Sequence, residues 1–246
     1  MSYRAFTVIC AASLVVLAAG DFELPAGIKT CKRDSSDYSS CLRLALQESW
    51  PIIVAGIPEL DLPPLDPYFV ATSDGTYDEG QLRGKISVKN VNTYGMAKSR
   101  FLAVRAHHTD DHFHLEVDLE WDKLFMDGDY KANAQLGSFR LGGQGYFNIS
   151  MEDVKTTWGL DGSVANDRWT VEHFKIMPDV GKMKVYFSDM FNGNEELNKA
   201  AMSFINEFWP TIYRGMLQYL AQAWDGLLTD VSNRIFSKVP FSKIFP

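Results

Sequence analysis

Residues 112–121 read H-F-H-L-E-V-D-L-E-W. Phe113, Leu115, Val117, Leu119 and Trp121 take every second position, and His112, His114, Glu116, Asp118 and Glu120 fill the gaps. A period of two belongs to a strand with one dry face and one wet face. The same grammar recurs outward from this stretch. Leu82, Gly84, Ile86 and Val88 alternate with Arg83, Lys85, Ser87 and Lys89, and further runs centre near Tyr130, Phe147, Trp158, Trp169 and Val185. Gly, Asn and Asp clusters separate these runs and no helical pattern intervenes. One-sided strands without crossover helices predict an antiparallel meander rather than a parallel sheet.

Helical patterns flank the meander. Ser39 and Ser40 are placed to cap a helix beginning near Cys41, whose apolar face is Leu42, Leu44, Ala45, Leu46, Trp50, Ile53 and Val54. Pro51 predicts a bend in it, and Gly56 and Pro58 end it. At the other end Asn194 is a cap, with Glu195 and Glu196 at the positive pole of the macrodipole. Apolar positions then recur as Leu197, Ala201, Phe204, Phe208, Ile212, Met216, Leu220, Trp224, Leu227, Val231 and Ile235. The stripe would run roughly 60 Å as an unbroken helix, with a kink predicted at Pro210. So long an apolar rod needs cover, and the dry face of the sheet is the large surface available. The expected fold is α+β: a long C-terminal helix wrapped by a highly curved antiparallel sheet, with a short N-terminal helix and an elongated hydrophobic tunnel between them.

Composition narrows the function. Of 246 residues, 46% are hydrophobic and 13% aromatic, enough for a large core. The net charge of −7 argues against a nucleic-acid partner and against an anionic membrane surface. Met1 to Gly20 carries one cation, Arg4, an apolar run from Phe6 to Ala19, and small residues at Ala18 and Gly20. That pattern predicts a secretory signal peptide over 1–20 and a single domain over 21–246, hence an extracellular protein. The run is too short to span a bilayer core of ~30 Å, so stable membrane insertion is not expected. Cleavage removes Cys10, and Cys31 with Cys41 then read as one disulfide.

Four segments carry a family resemblance: the Cys31–Cys41 pair, G-I-P-E-L-D-L-P-P-L-D-P at 56–67, M-F-N-G-N-E-E-L at 190–197 and R-I-F-S-K-V-P-F-S-K-I-F-P at 234–246. Over essentially the whole mature chain the sequence resembles the insect takeout / juvenile-hormone-binding family of the tubular lipid-binding superfamily. The resemblance implies a tunnel for small lipids, of which juvenile hormone, a sesquiterpenoid, is the type ligand. Lepidopteran blood carriers of the family have a further cysteine pair that is missing here, which makes the chain more similar to the takeout branch. That branch implies circadian, feeding or chemosensory roles.

Several patterns bear on chemistry. Neither G-x-S-x-G nor H-E-x-x-H occurs, and no catalytic residue or cofactor is assigned. G-G-Q-G at 142–145 lacks a following Lys-Ser/Thr helix and reads as a turn or bulge. His107, His108, His112 and His114, with Asp110 and Asp111, hold enough imidazole for zinc but read as a polar hairpin tip, and no metal is assigned. Asn148-Ile149-Ser150 is a glycosylation sequon whose asparagine alternates with apolar neighbours and so points outward. The candidate tunnel lining is Leu46 and Trp50 from the first helix, Phe113, Leu115 and Val117 from the sheet, and Phe204, Phe208, Ile212 and Met216 from the long helix. Tyr130 and Tyr213 are candidate polar anchors. The expected protein is a secreted, non-enzymatic carrier of a small hydrophobic ligand, a juvenile-hormone-like terpenoid or a fatty-acid-like lipid. The alternative is a secreted protein-interaction or signalling factor with a vestigial cavity. Either reading leaves room for a receptor or carrier partner.

Overall fold

The computed structural model describes residues 23–79, 82–136 and 139–246, so the expected signal segment and Cys10 lie outside the described residues. Helix α1 (Tyr38–Val54) begins earlier than Cys41, and Ser39 and Ser40 lie inside its first turn instead of capping it. A backbone turn does the capping work, since the N–H of Tyr38 donates to the carbonyl of Ser35 at 3.3 Å. Cys31 and Cys41 are disulfide-bonded, with Cα atoms 5.9 Å apart, and this ties the preceding loop to the first turn of α1.

Seven strands follow: β1 (Tyr68–Glu79), β2 (Leu82–Tyr94), β3 (Arg100–His108), β4 (His112–Leu136), β5 (Phe139–Ala165), β6 (Arg168–Ile176) and β7 (Asp179–Phe187). Every pairing is antiparallel. β4 and β5, of 25 and 27 residues, form a ribbon along the whole sheet. Four others each flank half of it, and β1 lies outside β2. β2 and β3 divide the outer side of β4, and β7 and β6 divide the outer side of β5. The sheet therefore has two halves sharing one ribbon.

The dry face changes parity between those halves. In one half Phe113, Val117, Leu119 and Trp121 are buried, opposite Gly162, Trp158, Thr156 and Val154. Past Trp121, both Asp122 and Lys123 are exposed, and burial resumes at the even positions Leu124, Gly128 and Tyr130. β5 makes the matching change at Asp153, whose φ is +54°. Because the two strands shift at facing positions, the register is kept while the ribbon bends.

Helix α2 (Glu195–Phe236) is 42 residues long and continuous through Pro210. Asn194 caps it, its side-chain oxygen accepting the N–H of Leu197 at 3.1 Å. The expected apolar stripe is not a plain core face. Leu197, Phe204, Phe208, Met216 and Leu227 keep 40–57% of their surface. The helix is fastened instead through polar side chains between them. Asn206 accepts the N–H of Val185 and donates to its carbonyl, both at 2.8 Å. Asn233 does the same to Val171 at 2.9 and 2.8 Å. Asp225 accepts the N–H of Phe174 at 2.7 Å and pairs with His173 at 2.9 Å. β6 and β7 are edge strands, so these side chains satisfy backbone groups that have no neighbouring strand. Gln47 of α1 treats the entry to β3 alike, donating to the carbonyl of Ser99 and accepting the N–H of Phe101.

Candidate ligand site

One half of the sheet is filled. Trp50 of α1 lies 5.2 Å from Phe101 and 5.9 Å from Trp158, and Trp158 lies 5.8 Å from Phe174. Beyond this cluster Phe113 packs within 5.0 Å of Trp169, Phe241 and Phe245. The last two flank the terminal helix α3 (Phe241–Ile244), which Asp167 holds through Ser242 at 2.7 Å. Candidate lining residues Trp50, Phe113 and Val117 are thus fully buried among aromatic neighbours, and Leu46 and Leu115 are partly buried against the same core.

The other half is built differently. On its concave face Gly75, Gly84, Ala132 and Ala134 lie in adjoining register. A Cβ on Gly84 would come within 2.9 Å of that of Ala134, so these strands approach too closely for larger side chains. Beyond the inward cluster of Tyr130, Phe147 and Phe187, the β1–β2 hairpin reaches α2, where Tyr77 meets Tyr219 with ring centroids 4.7 Å apart. By the helical period, Phe204, Phe208, Ile212 and Met216 project within about 60° of Tyr219. They therefore face the side that the hairpin overhangs. Phe204, Phe208 and Met216 are 57%, 45% and 45% exposed there, and Ile86 on the hairpin's inner face is 40% exposed. These apolar side chains are left partly open to solvent. Tyr77, Ile86 and Tyr219 were missing from the sequence candidates; the signal that marks them is the run of small residues on neighbouring inner positions, which only register reveals.

The two tyrosines are already engaged. The Tyr130 hydroxyl donates to the carbonyl of Asp189 at 2.6 Å, and that of Tyr213 to the carbonyl of Pro178 at 2.8 Å. Burial pushes the Tyr213 phenol up to about 12, with the Asp179 carboxylate adding to the effect. Burial also raises Tyr130. Both are neutral phenols whose protons are committed to backbone, leaving lone pairs that can accept from a hydroxyl or an acid but cannot donate to an ester or epoxide.

Two other sequence features resolve differently. G-G-Q-G at 142–145 is neither turn nor bulge but part of β5, and its glycines admit the segment before α2. A Cβ on Gly143 would lie 2.0 Å from the carbonyl oxygen of Asp189. His107, His112 and His114 sit on the wet face, where His107 stacks on His114 at 6.3 Å and Asp161 binds His112 and His114 at 3.1 and 2.9 Å. His108, opposite Phe113, instead stacks on Phe241 at 5.5 Å. Burial works against the Asp161 charge, but the two histidine hydrogen bonds outweigh it and hold the carboxyl below its usual range. Among the described residues no three His, Cys, Asp or Glu side chains converge as metal ligands. Among them, too, no helix is long and apolar enough to cross a membrane.

A curled antiparallel sheet with one long helix laid along its edge strands defines a half-barrel. The crystal structure of Takeout 1 from Epiphyas postvittana has this architecture: it superposes with a TM-score of 0.72 at 19% identity, covering 89% of this chain and 99% of that one. The family model "Haemolymph juvenile hormone binding protein (JHBP)" matches residues 6–246, and the chain belongs to that family. Relatives include the circadian clock-controlled protein daywake of Drosophila melanogaster, 21% identical, and that of Drosophila yakuba, 20% identical. Each match covers 90% of this chain and 88% of the relative.

Proposed function

We propose that this protein is a secreted, non-enzymatic carrier that takes a terpenoid- or fatty-acid-sized lipid into the space between α2 and the overhanging β1–β2 hairpin. The observation that carries the reading is that Phe204, Phe208 and Met216 on α2 and Ile86 on the hairpin all stay about half exposed although apolar, while Tyr77 brings the hairpin against α2 at Tyr219. Membership of a hormone-binding family supports it. So does the disulfide, which suits an oxidising compartment. Affinity would come mainly from apolar burial, at about 25 cal/mol per Å² before ordering costs. The conformable side chain of Met216 suits guests of varied outline. Likeness to the daywake proteins supports a clock-linked role.

The deciding experiment is native mass spectrometry of protein collected from culture medium, followed by lipid extraction and by displacement of an environment-sensitive fluorophore with juvenile hormone and with fatty acids. Co-purified lipid or displacement supports the carrier. Recovery from the medium with neither favours a signalling factor whose cavity is vestigial.

A further inference from the structure

On the convex face of β5, Tyr146, Asn148 and Ser150 project outward, since Phe147 and Ile149 pack inward against Tyr130 and Val91. Asn148-Ile149-Ser150 is an acceptor sequon. Its surroundings on the folded face are specific. Asn148 stands directly between Asp127 of β4 and Tyr186 of β7. The rings of Tyr146 and Tyr186 lie 6.5 Å apart and are 39% and 46% exposed. One row away Phe125, opposite Ser150, meets Tyr94 at 6.0 Å. Asp127 presents a buried Oδ1 with no hydrogen-bond partner. Exposed aromatic rings and an orphan acceptor around one half-buried asparagine make an incomplete surface.

We propose that Asn148 carries an N-linked glycan whose first N-acetylglucosamine lies over Tyr146 and Tyr186. The electron-rich ring faces meet the electropositive C–H face of the sugar. The N–H of the glycosylated amide or of the acetamido group supplies the donor that Asp127 Oδ1 lacks. The donor substrate is an oligosaccharide linked to a polyprenyl pyrophosphate in the secretory pathway. The Asn148 amide nitrogen forms a bond to the anomeric carbon, the bond from that carbon to the pyrophosphate oxygen breaks, and the lipid pyrophosphate leaves with the electron pair. The proton lost by the amide passes to a base of the transferase. Transfer precedes folding, when the segment is still extended, and β5 then closes around a modified residue. The site rests on the secretory reading.

The test uses the full chain expressed with its own N-terminus in cultured insect cells. Medium and cell fractions are analysed separately by intact mass, by N-terminal sequencing, and by peptide mapping after a glycosidase that tolerates core fucose. The expected result is a single glycan in the medium form, absent from Asn148→Gln, with Asn148 converted to aspartate by the enzyme. Secreted protein with an unmodified Asn148 overturns the glycan and leaves secretion standing. Retention inside the cell with an unprocessed N-terminus defeats both, and the N-terminal readout identifies that case. A Tyr146→Ala, Tyr186→Ala double variant tests the cradle, with several-fold faster enzymatic release of the glycan from native protein expected. An unchanged release rate overturns the contact with the rings.

Discussion

The two ends of the β4–β5 ribbon are one piece of backbone with opposite interiors. Around Phe113 the concave face is filled by tryptophans and phenylalanines, and α1 and the C-terminal residues cover it. Around Ala132 the neighbouring inner positions include Gly75, Gly84 and Ala134, and Phe204, Phe208 and Met216 on α2 stay about half exposed. Strand pairing is continuous through both ends. Side-chain volume on one face, rather than the course of the chain, separates the closely packed end from the more open one.

Truncating the solid end should therefore cost the most. Phe113→Ala removes a side chain with no exposed surface from four-ring packing, and about 3–5 kcal/mol of unfolding free energy should go with it in denaturant titrations. Equal tolerance of Phe113→Ala and Phe208→Ala would erase the distinction between the ends. Next in size are the side chains that fasten the helix. Asn206→Ala and Asn233→Ala each strand an N–H and a carbonyl of an edge strand, with an expected loss of about 1–3 kcal/mol. Hydrogen exchange should then accelerate first at Val185 in one variant and at Val171 in the other, reporting each half separately.

An acid titration gives a smaller effect confined to the solid end. Burial works against the Asp225 charge, but hydrogen bonds from His173 and the Phe174 N–H outweigh it and leave the carboxyl below its ordinary range. A depressed folded pKa confers stability that is complete above the unfolded value of about 4 and lost as pH falls through the folded one. Asp225→Asn should flatten that limb of the stability curve below about pH 4 by under ~1 kcal/mol. An unchanged limb would remove Asp225 from the account. The smallest effect on stability belongs to the roomy end. Phe208→Ala should change unfolding free energy by less than about 1 kcal/mol, because its ring is half in solvent already. The same variant should weaken fluorophore or lipid binding several-fold, which separates wall from core.

Much of this was legible in the sequence. Alternation from Phe113 to Trp121 identified the strand and its dry face, and the Asn194 cap and the apolar stripe identified α2. Three things were hidden. The parity change at Asp122 and Asp153 involves two strands at once, and each alone reads as a break in pattern. Asn206 and Asn233 resemble residues of a solvated helix face, since an asparagine's partner on a strand edge has no local signature. The glycines of 142–145 announced a turn because close approach by a distant segment looks, locally, like any other need for glycine. Of the candidate lining residues, Phe204, Phe208 and Met216 on α2 stay about half exposed, whereas Trp50, Phe113 and Val117 are buried in the filled half. Hydrophobic pattern finds both sets alike, because it records aversion to water and not what a side chain meets instead.

The carboxamides on the strand edges carry a consequence for solution behaviour. A sheet that ends in bare backbone is a template for another copy of itself, and proteins commonly guard such edges with charge, proline or twist. Here β3, β6 and β7 are guarded by Gln47, Asn233 and Asn206, each of which imitates a peptide group by donating and accepting at once. The helices thus serve as borrowed strands. The contacts that hold the helices in place also occupy backbone groups on three of the four edge strands, β1 being the fourth.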